Sequence, residues 1–211
     1  MTRFGFRAFF PMSYETSCIY KPRRPTPFQV SVYPGAGCNR ICTAARFITQ
    51  FSQKQLTVLN THLDHLSDDQ RKYGASLLLI RGRYEAATSG GPVLLTGDFN
   101  SPPTGSDSGA YGILTGKVSP VQGDEKFTKR YTPGENKFPD FKFLDTRVVT
   151  PRFNVSANFA TFTNWSPTVT KDWARIDFVL GGSSRSWYVH FLDQFHTWER
   201  GRLSLVWLFL G

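Results

Sequence analysis

Two strand-like runs, LTVLNTHL (56–63) and PVLLTG (92–97), stand on either side of a segment with helical spacing. This alternation restricts the fold more than any other feature of the chain. Ser67-Asp68-Asp69-Gln70 has the form of a capping box, with Ser67 as the cap and Gln70 able to reach back to it. Tyr73, Leu77, Ile80 and Tyr84 then recur at three- and four-residue intervals with charges between, which predicts an amphipathic helix of about 20 residues. Ser89-Gly90-Gly91-Pro92 ends it. A strand–helix–strand unit of this kind predicts a crossover, with the two strands parallel and their carboxyl ends on one rim of a sheet.

The flanking sequence extends the pattern. QVSVY (29–33), ICTAARFI (41–48), ATFTN (160–164), RIDFVL (175–180), WYVHFL (187–192) and LSLVWLFL (203–210) read as strands. SDSGAYGILTG reads as a short helix, and residues 116–143 as a loop rich in Lys, Gly and Pro. The class is mixed α/β with more strand than helix. A length of 211 residues suits one domain with a sizeable core.

A net charge of +9 favours anionic partners: nucleic acid, phosphorylated metabolites or acidic headgroups. Lys126, Lys129, Arg130, Lys137 and Lys142 could track a phosphate backbone, but a solvated loop face is the simpler reading. Cys18, Cys38 and Cys42 leave at least one thiol free, which leans towards a reducing compartment such as the cytoplasm. The first residues form a poor signal peptide, and the sequon Asn154-Val155-Ser156 would matter only in a secreted protein. The apolar tail is well short of the roughly 20 residues of a membrane span, so no transmembrane segment is expected.

Chemistry concentrates where the two parallel strands end. In LLTGDFNSPP (94–103) a run of buried-strand residues ends in Asp98, Phe99 and Asn100. Residues i and i+2 of a strand share a face, so Asp98 and Asn100 can converge while Phe99 packs on the other side. His62 ends the neighbouring strand. Asp can deprotonate an attacking water or hold a divalent cation, and an Asn amide can contact a phosphate oxygen. A His can donate to an oxygen on which charge builds. The set suits phosphoester hydrolysis. Taken alone, Asp98 and Asn100 also read as turn residues, and His62 as a structural histidine. His65, three positions on, lacks the further ligands of a zinc site and reads as a residue of the loop or site rim.

Three motifs in order weigh against the bland reading. Asn60-Thr61-His62-Leu63-Asp64-His65, Gly97-Asp98-Phe99-Asn100-Ser101-Pro102 and Arg175-Ile176-Asp177-Phe178 resemble signature motifs of the endonuclease/exonuclease/phosphatase superfamily, with the deoxyribonuclease I-like fold. PGAGCNRICTAARF, Phe143-Leu144-Asp145 and ATFTNW fit as supporting segments, and the similarity runs from about Tyr14 to about Val189. The resemblance implies a sandwich of two β-sheets flanked by helices, and dependence on Mg²⁺ or Mn²⁺. It implies that His62 stabilises the scissile phosphate and that Asp98 activates water. Asn100 would contact phosphate or, with Asp98, the metal. Asp177 would orient a catalytic histidine near the C-terminus.

Two parts of the family pattern are not found. One is the early strand ending in a metal-binding Glu, for which Glu15 is no credible replacement. The other is a terminal Ser-Asp-His, for which His196 is the nearest candidate. The fold is therefore expected to be incomplete at both ends, with a divergent tail over 190–211. The expected function is a metal-dependent phosphoesterase impaired as written; the alternative is an inactive remnant that acts as a binding module. An unpartnered Asp177 would be destabilising, and Arg175 is expected to satisfy something local.

Overall fold

The computed structural model describes residues 40–48, 55–134, 136–150, 160–165 and 170–184, with the backbone of short strands at 17–18, 188–191 and 207–209. The chain forms β1 (Ser17–Cys18), β2 (Cys42–Ile48), β3 (Gln55–His62), α1 (Asp68–Thr88), β4 (Val93–Asp98), α2 (Gly109–Leu114), α3 (Glu125–Arg130), β5 (Phe143–Asp145), α4 (Thr146–Val149), β6 (Asp177–Gly182), β7 (Tyr188–Phe191) and β8 (Trp207–Phe209). Six strands make one mixed sheet in the order β1-β2-β3-β4-β6-β5, and β7 pairs with β8 separately. Only β3 and β4 are parallel within the larger sheet, joined by α1 as the crossover the sequence predicts.

Helix α1 begins where its cap says it should. The Ser67 side chain accepts from the Gln70 N–H (3.3 Å), while the Ser67 N–H donates to Asp64 Oδ1 (2.8 Å). Asp64 is itself buried, and it accepts from Leu66 N–H as well (2.7 Å). The buried stripe of α1 differs from the expected one. Leu77 is buried as expected, along with Gly74, Ala75, Leu78, Gly82 and Glu85, whereas Tyr73, Ile80 and Tyr84 only flank the core. The reason is Gly82: a Cβ there would overlap the Phe143 ring, so its absence lets the helix settle on the sheet.

The core lies between α1 and one face of the sheet. Leu59, Val93, Leu95, Phe143, Phe178 and Leu180 point into it together with Leu78, and all are buried. Strand alternation sends Ala45, Phe47, Leu56, Val58, Leu94 and Val179 to the opposite face, where Leu94 is buried and the others are partly or largely exposed. Cys42 is buried on the helix side, and that burial pushes its thiol up to about 12.

Three expectations change. ATFTN is not a strand, since Phe162 makes only an isolated bridge with Ala174, and Asn164 and Trp165 have positive φ. The loop over 116–143 contains α3, whose N-cap Asp124 accepts from Phe127 N–H (2.8 Å). The third-motif strand starts at Asp177, because Arg175 turns into the core. QVSVY, Glu15, Cys38, Asn154 and His196 lie outside the described residues. No helix among the described residues is long and apolar enough to cross a membrane.

Candidate active site

Three strand ends form the site, and register aligns them. His62 of β3 pairs with Asp98 of β4, and Asp98 pairs with Asp177 of β6. Side chains that are paired across neighbouring strands leave the same face, so the histidine and both carboxylates stand in a row at one edge. Two further backbone bonds stitch the strands just past this row. Leu63 N–H donates to Asp98 O (2.9 Å), and Phe99 N–H donates to Ile176 O (2.8 Å). His62 Nε2 lies 3.6 Å from Asp98 Oδ2, an ion-pair distance that is too long for a direct hydrogen bond.

Asn100 reaches the site by a route that strand alternation does not describe. Strand β4 stops at Asp98, and Asn100 takes φ +46°, a left-handed conformation that asparagine tolerates. Its N–H donates to Asp98 Oδ1 (2.8 Å), closing a tight turn. Its side-chain Nδ2 donates to Leu63 O (3.0 Å), which ties the tip of β4 to that of β3. Phe99 is fully buried below and stacks on Phe178, with ring centroids 5.1 Å apart. It is the Asn100 backbone N–H, not a shared strand face, that meets the Asp98 carboxylate.

Gly97 makes the approach of the strands close. Its φ is +137°, and a Cβ would overlap the carbonyl oxygen of Thr61 on β3. Beyond the site, Ser101 Oγ donates to Asp107 O (2.7 Å) and accepts from Tyr111 N–H (3.2 Å), fixing the Ser-Pro-Pro turn to α2.

Asp177 is half-buried, and burial raises its carboxyl above the usual range. The Thr161 side chain opposes this by hydrogen bonding to it; the Asp98 carboxylate adds to the rise, and His62 opposes it. Thr161 Oγ1 also accepts from the N–H groups of Ile176 and Asp177 (3.0 Å each), so one hydroxyl fixes the start of β6. Sequence reasoning did not single out Thr161, although it lies within ATFTNW. Arg175, expected to satisfy something local, lies buried and binds both oxygens of buried Asp145. Tyr111 donates its hydroxyl to the same carboxylate (2.9 Å). The Arg175 guanidinium also sits over the Phe178 ring, 4.6 Å from its centre, so the ion pair supports the Phe99–Phe178 stack from beneath.

His65 is exposed at the rim, where Arg40 donates to its Nδ1 (2.9 Å). Lys126, Lys129, Arg130, Lys137 and Lys142 are all exposed. Among the described residues no group of three or more His, Cys, Asp or Glu side chains is placed to hold a metal ion. Asp98, with the Asn100 amide beside it, offers hard oxygen donors. The mutual repulsion of Asp98 and Asp177 is the kind a divalent cation relieves. Mg²⁺ characteristically uses one or two carboxylates and completes its shell with water and substrate phosphate. The donor type therefore fits.

No family model matches the sequence, and no curated protein matches it. Among solved structures, the chain is similar to an endonuclease/exonuclease/phosphatase from Bacteroides vulgatus, at 26% identity and a TM-score of 0.48, over 70% of this chain and 46% of that one. It is similar to an endonuclease/exonuclease/phosphatase family protein from Bacteroides thetaiotaomicron, at 21% identity and a TM-score of 0.46, over 70% and 42% of the two chains. It is also similar to a mannosyl-6-phosphatase from Bacteroides thetaiotaomicron, at 21% identity and a TM-score of 0.45, over 71% and 45%. The chain spans less than half the length of each.

Proposed function

We propose that the edge formed by His62, Asp98, Asn100 and Asp177 is the phosphate-handling centre of a metal-dependent phosphoesterase. The observation that carries this reading is the register of β3, β4 and β6, which aligns His62, Asp98 and Asp177 on one face at one end of the sheet. His62 is the exposed end of this row, with its side chain 55% exposed, so an incoming phosphoryl oxygen can reach its ring.

Each residue has a role its surroundings support. Asp98 has Oδ1 committed to Asn100 N–H, which fixes the carboxylate and leaves Oδ2 on the His62 side to align and deprotonate a water. His62 donates to a non-bridging oxygen as negative charge builds there. Asn100, held by Leu63 O, positions the phosphate. Asp177, raised by burial, gains from a cationic partner, and we assign it the orientation of an imidazole from the C-terminal part of the chain. A Mg²⁺ or Mn²⁺ ion held by Asp98 and Asn100 would supply charge neutralisation at the phosphate.

The same reading includes the wider architecture. The half-exposed apolar face with Phe47, Leu56, Val58 and Val179 is suited to burial beneath a second sheet, giving a two-layer sandwich in one domain over 1–211. The net charge of +9 favours a polyanionic substrate, with nucleic acid among the candidates.

The test is cleavage of a generic phosphodiester and a generic phosphomonoester with and without Mg²⁺ or Mn²⁺. Turnover that requires the ion and is abolished in Asp98→Ala is the expected result. Undiminished cleavage in that variant would sink the assignment. Saturable phosphodiester binding without turnover in the unaltered chain would instead favour a binding module that keeps the phosphate-facing half of the site.

A further inference from the structure

On the helix side of the sheet, away from the catalytic edge, Ala44, Arg46, Thr57, Arg81, Tyr84, Glu85, Arg130 and Tyr131 line a cavity of about 140 Å³. Thr57 lies near the start of β3, five residues from His62, so the two sites are separated by about 17 Å along the strand. They also lie on opposite faces.

The polar groups of this cavity are only partly matched. Glu85 is buried and accepts from Arg81 Nε (2.8 Å) and Arg46 Nε (3.0 Å). Arg81 is buried too, and its guanidinium lies over the Tyr131 ring, 4.4 Å from the centre. Its Nη1 nevertheless has no hydrogen-bond partner among the described residues, and neither has the buried Oγ1 of Thr57. A buried guanidinium N–H without an acceptor is costly, and so is a buried hydroxyl. Both belong to residues that line the same space, which is about ten times what a single water needs.

Charge selects the occupant. Arg46, Arg81 and Arg130 contribute three positive charges and Glu85 one negative, leaving two positive charges uncompensated. A carboxylate would neutralise one; a phosphate group carries about −1.5 to −2 near neutral pH and neutralises both. Guanidinium forks also match phosphate geometry better than an ammonium would. We propose that this cavity is a second, non-catalytic anion site that binds a phosphate group, free or at the end of a small ester. Arg81 Nη1 and Thr57 Oγ1 donate to it, and Arg130 closes over it.

Thermal unfolding in millimolar inorganic phosphate, against chloride at matched ionic strength, tests the site. The full chain is expected to gain roughly 3–6 °C at a phosphate concentration about ten times Kd. Arg130→Gln and Thr57→Val alter an exposed side chain and an isosteric one, so each should unfold normally in chloride. Each should bind phosphate about tenfold more weakly by calorimetry. The His62→Asn variant should keep the full shift, which separates this site from the catalytic edge. Equal affinity for inorganic phosphate and glycerol 3-phosphate assigns the pocket to the free group, and tighter binding of the ester assigns it to an esterified one. The proposal is overturned if phosphate gives no more shift than chloride. It is equally overturned if the shift survives in both cavity variants and vanishes in His62→Asn.

Discussion

Replacing Arg175 by methionine removes the charge that compensates Asp145 while keeping a side chain of similar length. Both partners are buried, with side chains 6% and 4% exposed, so the carboxylate cannot turn to water for help. It would retain the Tyr111 hydroxyl (2.9 Å) and the Arg147 N–H (3.1 Å), two neutral donors in place of a bidentate cation. Breaking a buried pair from one side costs about 3–5 kcal/mol. In a chain of this size that corresponds to roughly 6–20 °C in Tm. Urea denaturation followed by tryptophan fluorescence reads the loss directly. The charge argument makes a second demand. Adding Asp145→Asn to Arg175→Met removes the stranded charge, so the double variant should be more stable than Arg175→Met alone. A loss below about 1 kcal/mol for Arg175→Met, or a double variant less stable than it, would refute the reasoning.

Gly97→Ala places a Cβ against Thr61 O at φ +137° and should cost at least about 2 kcal/mol in urea denaturation; an unchanged midpoint would contradict the close approach of β3 and β4. Asp177 has a folded-state carboxyl raised above its unfolded one, so its contribution to stability is present at low pH and is lost as pH rises through the folded value. Asp177→Asn should therefore raise the urea midpoint at neutral pH, with the gain vanishing below the ordinary carboxylate range. A variant equally shifted at both pH values would show that the effect is not ionisation.

Sequence reading reached the crossover because its signals are local: Ser67 caps, Gly90 and Gly91 stop, and β-branched runs flank the helix. It placed His62 and Asp98 at neighbouring strand ends because the crossover makes β3 and β4 parallel, whereas Asp177 entered only through the motif resemblance, and its place beside Asp98 comes from the antiparallel pairing of β6. Elsewhere the deciding contact is distant in sequence. Arg175 turns inward for Asp145, thirty positions away, and periodicity carries no trace of that. Gly82 looks like a weak point in a helix until the Phe143 ring is seen beneath it. Arg81 and Glu85 fall among the charges between the apolar positions of α1, and they are buried because they compensate each other beside a cavity. Asn100 was expected to share a strand face with Asp98; its side chain instead bonds the Leu63 carbonyl just past the end of β3.

The most direct test of the phosphate-handling edge is an NMR titration of isotope-labelled chain with dimethyl phosphate in the presence of Mg²⁺, following the His62 ring and the Asn100 side-chain amide. Saturable shifts at both groups, lost in Asp98→Ala, are the predicted result. If both signals stay unmoved, or move equally in Asp98→Ala, the strand-end row is not a phosphoester site.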